Sequence, residues 1–170
     1  GMCKDALLAR DVADDFAAAR AMTEDDGDAV EVSPVTLTMG YWPKYADSTL
    51  LLPQALQDAK ARFEAFYVDR FQGRKLAWHH DLERCVLRAD FGDEAKHLDA
   101  TLAQALVLLA LDDGRTASAE DLAKASGLGT DDLVRVLRSL TSPKCALVAS
   151  LDDGTYAANA RFTHARKRLK

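Results

Sequence analysis

The sequence has 170 residues and a net charge of −5; 48% of its residues are hydrophobic and 29% are charged. This balance predicts a globular chain of one large domain or two small ones, and the negative charge argues against a nucleic-acid partner. No run approaches the roughly 18 apolar residues of a membrane span, and the charged opening lacks the apolar core of a signal peptide. Three widely spaced cysteines, Cys3, Cys85 and Cys145, predict neither a disulfide framework nor a zinc site, and they fit a reducing compartment.

Residues 3–22 predict a helix, because Leu8, Val12 and Phe16 recur at every fourth position and form an apolar stripe. A stripe of this kind needs a surface to pack against, so we expect this helix to be the end of a larger helical bundle. The acidic, glycine-containing segment 23–33 predicts a linker.

Strict alternation in VTLTMG predicts a half-buried strand over residues 35–39, followed by a loop that contains Pro43. Pro53 opens a predicted helix over 54–70. LAWHH and CVLRADF then predict short strands over 76–79 and 85–90, and KHLDATL predicts a third. We expect a small antiparallel sheet packed under the helix, with large aromatic side chains between the two layers: Trp42, Phe63, Phe66 and Trp78.

From residue 101 the sequence predicts three helices and a hairpin, which is the order of elements in a winged helix. Ser118 is the predicted N-cap of the second of these helices and Gly127 its stop; Thr130 is the predicted N-cap of the helix over 130–141. A basic cluster at the end of the sequence, which includes Arg161 and Arg168, usually forms a solvated face or tail, and a specific anionic partner is the less favoured alternative.

The residues that could carry chemistry do not form a site that sequence reasoning can recognise. His79 and His80 are neighbours on a predicted strand and so point to opposite faces, and His97 and His164 lack partners at ligand spacing. The pairs Asp112–Asp113 and Asp152–Asp153 both adjoin a glycine, which is typical of turns. Cys85 is expected to be buried and inert. We therefore predict no catalytic residues, no metal site and no cofactor.

Three blocks in order resemble the homology region of the cullin family: TLTMGYWPKY at 36–45, FEAFYVDRFQGRKLAWHHDLERCVLRADF at 63–91, and ALVLLALDD at 105–113. The opening GMCKDALLARDVADDF is similar to the last bundle helix of that family, although Cys3 and Ala9 depart from family usage. The motif residues are Gly40, Tyr41, Trp42, Pro43, Gly73, Arg74 and Lys75.

The resemblance implies an α+β fold with three parts: the terminal helix of a helical bundle (1–22), a cullin-type sheet subdomain (34–100), and a winged-helix-like subdomain with a basic C-terminal strand (101–170). It implies a non-catalytic scaffold segment of a cullin-RING ubiquitin ligase, located in cytoplasm and nucleus. Its partners would be a RING-box protein, through that protein a ubiquitin-conjugating enzyme, and the remainder of the cullin chain. The RING subunit would add a strand to the sheet at Val35, Thr36, Leu37, Thr38, Leu76, Trp78, Val86, Leu87 and Arg88.

Two alternatives remain open at this point. A winged-helix nucleic-acid binder would use the helix over 130–141, but Asp131 and Asp132 would face phosphate with like charge. A truncated cullin would capture the RING subunit without supporting ligation. The sequence ends where cullins usually continue into the region that bears the modified lysine, so no lysine of this chain is predicted to be the modification site.

Overall fold

The computed structural model describes residues 2–22, 30–43, 49–91, 94–164 and 167–169. The chain divides into two compact units, one comprising Gly1–Ala46 and Leu52–Trp78 and the other comprising Asp47–Leu51 and His79–Lys170. The predicted subdomain boundaries, at 22/34 and 100/101, differ from the division at 78/79. They stay predictions, and each unit is described by itself.

The described residues contain both helices and short strands, and the α+β fold class is confirmed. The first unit contains α1 (Met2–Met22) and α2 (Gln54–Arg70). The second unit contains, in chain order, β1 (Arg84–Phe91), β2 (Glu94–Thr101), α3 (Leu102–Ala110), β3 (Thr116–Ala117), α4 (Ala119–Ser126), α5 (Thr130–Thr141), β4 (Val148–Ser150), β5 (Tyr156–Ala158) and β6 (Arg168–Leu169).

The core of the first unit is an aromatic cluster between α1 and α2. Val12 and Phe16 of α1 are buried against Phe63 and Tyr67 of α2, and Phe66, Phe71, Leu76 and Trp78 pack around them. The predicted stripe was wrong at Leu8, which is exposed, because the buried face runs through Ala9 instead. The predicted aromatic layer between helix and sheet is also wrong: Phe63, Phe66 and Trp78 pack between two helices, and the sheet belongs to the other unit.

Two predicted strands are absent from the described part of the first unit. Residues 35–38 form no ladder, and the nearest pairing is an isolated bridge between Met39 and Trp42. Residues 76–79 are irregular and lead into a 3₁₀ turn at His80–Leu82. The alternation that predicts a strand is a local property, whereas a strand exists only where a second segment lies alongside it. The acidic linker prediction falls mainly on residues 23–29, which lie outside the described residues.

The sheet of the second unit has the strand order β1-β2-β6, with β1 and β2 antiparallel and β2 and β6 parallel. Leu98 of β2 is buried in a core that it shares with α3, α4 and α5; Leu87, Ala89 and Phe91 of β1 pack against that core. The strands predicted over 85–90 and from Lys96 onward are thus confirmed. The basic C-terminal strand joins this sheet rather than the hairpin.

A second small sheet has the strand order β3-β5-β4. The three helices and the β4–β5 hairpin follow one another as predicted, but β3, which lies between α3 and α4 and pairs with β5, was not predicted. The designation of this part as a winged helix stays a prediction. Ser118 caps α4 through a reciprocal capping box with Asp121, as predicted. The predicted cap at Thr130 is wrong, because Gly129 is the N-cap of α5 and Thr130 is its first residue.

A short connecting segment docks on the C-terminus of α4. The Leu51 amide donates to the carbonyl of Ser126 at 2.8 Å, and the Thr49 hydroxyl donates to the carbonyl of Gly127 at 3.0 Å. Gly127 has φ +72°, and a Cβ at this position would lie 2.3 Å from the Thr49 carbonyl oxygen. Glycine is therefore required here both for the left-handed turn and for the close approach.

Candidate protein-binding site

The extended segment 34–39 presents apolar side chains to solvent. Val35 is 74% exposed and Met39 is 85% exposed, and Leu37 is exposed as well. Pro34 is buried and Thr36 is half-buried. The apolar side chains of the alternating pattern therefore face solvent, whereas in a half-buried strand they would face the core. The described residues of this unit provide no ladder for the segment. These predicted site residues are accessible but do not form a strand by themselves.

An aspartate of α1 fixes the end of this segment. Asp5 is buried and accepts three hydrogen bonds: from the Thr38 hydroxyl, from the Thr38 amide at 2.8 Å, and from the indole Nε1 of Trp42 at 2.7 Å. The Thr38 hydroxyl, and after it the Thr38 amide and the Trp42 indole, hold the pKa of Asp5 below its ordinary value of 3.8. Sequence reasoning missed this residue, although its spacing from Ala9 and Val12 places it on the same helix face.

The Gly-Tyr-Trp-Pro motif forms the turn that this aspartate holds. Gly40 has φ +101°, a conformation that favours glycine. The Tyr41 amide donates to the Thr38 carbonyl at 3.2 Å and closes the turn. Tyr41 and Pro43 are exposed, and Trp42 is half-buried. The motif therefore positions an exposed tyrosine beside the extended segment.

The second motif, residues 73–78, follows α2. Gly73 has a positive φ, and the guanidinium of Arg74 lies 4.6 Å from the centre of the Phe71 ring. Arg74 and Lys75 are exposed. The Trp78 indole donates to Glu64 at 2.6 Å, and Leu76 also packs on the aromatic cluster. The side chains of Leu76 and Trp78 thus pack in the interior of the first unit. Neither residue lies in a strand, contrary to prediction.

Strand β1 forms the outer edge of its sheet within the described residues. The Leu102 amide donates to the Glu83 carbonyl, and the His97 amide donates outward to the Lys167 carbonyl. Hydrogen-bonded and non-hydrogen-bonded pairs alternate along an antiparallel ladder. These two bonds therefore show that the odd-numbered residues of β1 are the ones whose backbone groups bond to β2. The backbone groups of its even-numbered residues, 84 to 90, point away from β2.

The three predicted site residues of β1 lie on two faces. Val86 is 53% exposed and Arg88 is exposed, on the outer face of the sheet, whereas Leu87 packs inward against the core. Burial, and secondarily the charge of Glu83, raises the pKa of the inward-facing Cys85 thiol, so this cysteine is mainly in the thiol form at neutral pH, as expected for a structural residue.

Two of the polar residues considered for chemistry, His80 and Asp153, have structural partners. His80 is buried and its Nδ1 lies 2.9 Å from Glu83. Asp153 accepts from the Thr155 amide and hydroxyl in a turn, which lowers the pKa of Asp153. In the described ranges, no group of three His, Cys, Asp or Glu side chains is arranged to hold a metal ion. No helix among them is long and apolar enough to cross a membrane.

Comparison with known proteins identifies the class of chain that carries these surfaces. Residues 36–167 match the family described as the Cullin alpha+beta domain. The whole chain is 32% identical to human Cullin-4A, of which it covers 23%, and 26% identical to Arabidopsis thaliana Cullin-2, of which it covers 24%. Cullin-4 of Schizosaccharomyces pombe is 33% identical over 79% of this chain and 20% of its own length.

The chain belongs to the cullin family. It spans about a quarter or less of the length of these curated relatives. The matched family domain includes residues 36–39 of the extended segment and the whole edge strand β1.

Proposed function

We propose that this chain is a scaffold segment of a cullin-RING ubiquitin ligase and that it binds a RING-box subunit by strand addition at the free edge of β1. The observation that carries the proposal is the row of outward-pointing backbone groups on β1, at Arg84, Val86, Arg88 and Asp90. An added strand pairs with such a row through main-chain hydrogen bonds, and adjacent side chains supply specificity. Membership in the cullin family supplies the class of partner.

The extended segment of the first unit is a second acceptor for a partner strand. Val35, Leu37 and Met39 would lose exposed apolar surface on binding, and the Asp5 hydrogen bonds already hold the backbone beside them. A segment held in place before binding loses less conformational entropy than one that must order at that moment.

The role of the scaffold is positional, and the chain performs no chemistry of its own. Holding a RING subunit on a scaffold raises the effective concentration of a bound conjugating enzyme near the substrate. The RING subunit would dock that enzyme, and the remainder of the cullin chain would supply the substrate arm and the modified lysine. We place the assembly in cytoplasm and nucleus. A β1 edge without a partner strand is also an aggregation hazard for the chain on its own.

Nucleic-acid binding is the weaker function for these surfaces. The first turn of α5 exposes Asp131 and Asp132, and Arg135 lies 3.3 Å from Asp132. A helix that reads the major groove presents its N-terminal residues to the bases, so these two carboxylates would oppose phosphate.

Co-expression with a RING-box subunit, followed by size-exclusion chromatography, tests the proposal. Wild-type chain is expected to co-elute with the subunit in a one-to-one complex that is lost when the subunit's N-terminal strand is deleted. Failure to co-elute, with the chain folded and monomeric, would show that the resemblance is to the fold alone.

A proline substitution at Val86 distinguishes binding by strand addition from binding through side-chain contacts. Val86→Pro removes an amide donor that points away from β2, so the β1–β2 ladder is retained. Val86→Ala keeps that donor and is the matched control. We expect the proline variant to lose co-elution and the alanine variant to retain it; retention by both would rule out pairing at this edge.

A further inference from the structure

The outer face of the β1-β2-β6 sheet carries a row of basic side chains in register. Arg88 pairs with His97 across β1 and β2, and His97 pairs with Arg168 across β2 and β6. All three residues are exposed. Because neighbouring strands are about 4.8 Å apart, the two arginines lie roughly 10 Å from each other along this row.

The acidic side chains on this face do not occupy all the hydrogen-bond donors of Arg88 and Arg168. Asp99 accepts two hydrogen bonds from Arg84, at 2.7 and 2.9 Å, on one carboxylate oxygen. The closest described carboxylate oxygens lie 3.8 Å from Arg168, on Asp99, and 3.7 Å from Arg88, on Asp90. Both distances exceed the usual hydrogen-bond range of about 2.7 to 3.2 Å, so both guanidiniums retain donors for an external acceptor.

We propose that this face binds an acidic peptide segment of a partner protein through Arg88 and Arg168. In the polyproline II conformation, which has three residues per turn and a rise of about 3.1 Å, two carboxylates three residues apart share one face and are separated by about 9 Å, close to the spacing of the row. Val86, on the same face and 53% exposed, offers an apolar contact between Arg84 and Arg88. This site uses side chains on the face of the sheet, so it goes beyond strand addition at the edge.

A peptide fits this face better than a nucleic acid does. Asp90 and Asp99 lie among the arginines and would repel a phosphodiester backbone, whereas a peptide can present amide donors to them. Single-stranded nucleic acid is usually held by stacking on large aromatic side chains, and the described outward residues of these strands include no Phe, Tyr or Trp. The net charge of −5 opposes general polyanion binding as well.

Fluorescence anisotropy with a labelled peptide that carries glutamate at every third position between serines, at low and at moderate salt, tests the proposal on the full chain. We expect saturable binding that weakens with salt and a loss of about tenfold or more in Arg88→Glu/Arg168→Glu. The matched control is Arg135→Glu/Arg138→Glu, the same charge change on the exposed face of α5, and it should bind within about twofold of wild type.

Three results would overturn the inference. The first is no binding by wild-type chain at low salt, and the second is an equal loss in both double variants, which would show that only total charge matters. The third is tighter binding of a labelled oligothymidine that the Arg88/Arg168 variant also loses, which would assign the face to nucleic acid. Circular dichroism of both variants establishes that each keeps the wild-type fold.

Discussion

Truncation of the ring at the centre of the aromatic cluster should remove much of the stability of the first unit. Phe63 is 2% exposed, and its ring centre lies within 6.3 Å of those of Phe16, Phe66, Tyr67 and Trp78. A buried Phe→Ala change costs about 3 to 5 kcal/mol through lost transfer energy and the cavity left behind. Native domains are stable by only about 5 to 15 kcal/mol, so Phe63→Ala should bring this unit close to unfolding.

Urea unfolding followed by tryptophan fluorescence measures this loss directly, because both tryptophans of the chain, Trp42 and Trp78, lie in the first unit. With a slope near 1.5 kcal/mol per molar urea, the expected midpoint shift is about 2 to 3 M. The matched control is Val68→Ala on the same helix, where the side chain is 58% exposed and the expected cost is below about 0.5 kcal/mol. Equal midpoint shifts in the two variants would refute the assignment of the cluster as the core of this unit.

Three further predictions concern single residues. The pKa of Asp5 is lowered in the folded state, so its charged form stabilises the fold above the unfolded pKa, and this contribution disappears as pH falls through the folded pKa. Asp5→Asn should therefore flatten the acid limb of a pH–stability profile measured by fluorescence. An acid limb unchanged from wild type would contradict this. Gly127→Ala should release segment 49–51 and speed amide hydrogen exchange at Leu51, whereas Gly154→Ala, which has a positive φ but no atom within 4 Å of the added Cβ, should not; protection of Leu51 in both variants would refute the steric argument. Ser118→Ala should cost about 1 kcal/mol of stability by thermal denaturation, since the hydroxyl caps α4. No loss of stability would show that the capping box does not contribute to the free energy of unfolding.

Helices were predictable from the sequence because their signals are local. The apolar periodicity of α1 and α2 and the Ser118 cap of α4 each lie within one or two turns of chain. The predicted strand over 35–39 failed for the complementary reason, since alternation sets which side chains share a face but cannot provide a partner strand. The strands β1 and β2 were predicted, but their pairing was not: the turn was expected between residues 76–79 and 85–90, whereas β1 pairs with β2, the next strand along the chain.

The candidate site was less accessible to sequence reasoning than the fold. Trp78 was expected to contact a partner, but its indole is bonded to Glu64 and its ring lies in the aromatic cluster; a tryptophan in a motif does not indicate which side of the molecule it serves. Asp5 carried a usable signal, namely a carboxylate on the buried face of an amphipathic helix. The register that aligns Arg88 with Arg168 depends on β6, a strand of two residues far along the chain, and could not be read from either local pattern.

The docking of segment 49–51 on the second unit has a consequence for synthesis of the chain. Thr49 and its acceptor, the carbonyl of Gly127, are 78 residues apart in sequence. At about 5 to 20 residues per second, the ribosome delivers that glycine roughly 4 to 16 s after the threonine. The segment therefore has no native binding surface during that interval. The residues of the first unit, which end at Trp78, are complete before that surface has been synthesised. The speed of translation between Thr49 and Gly127 thus sets how long the Thr49 hydroxyl and the Leu51 amide remain without their native acceptors.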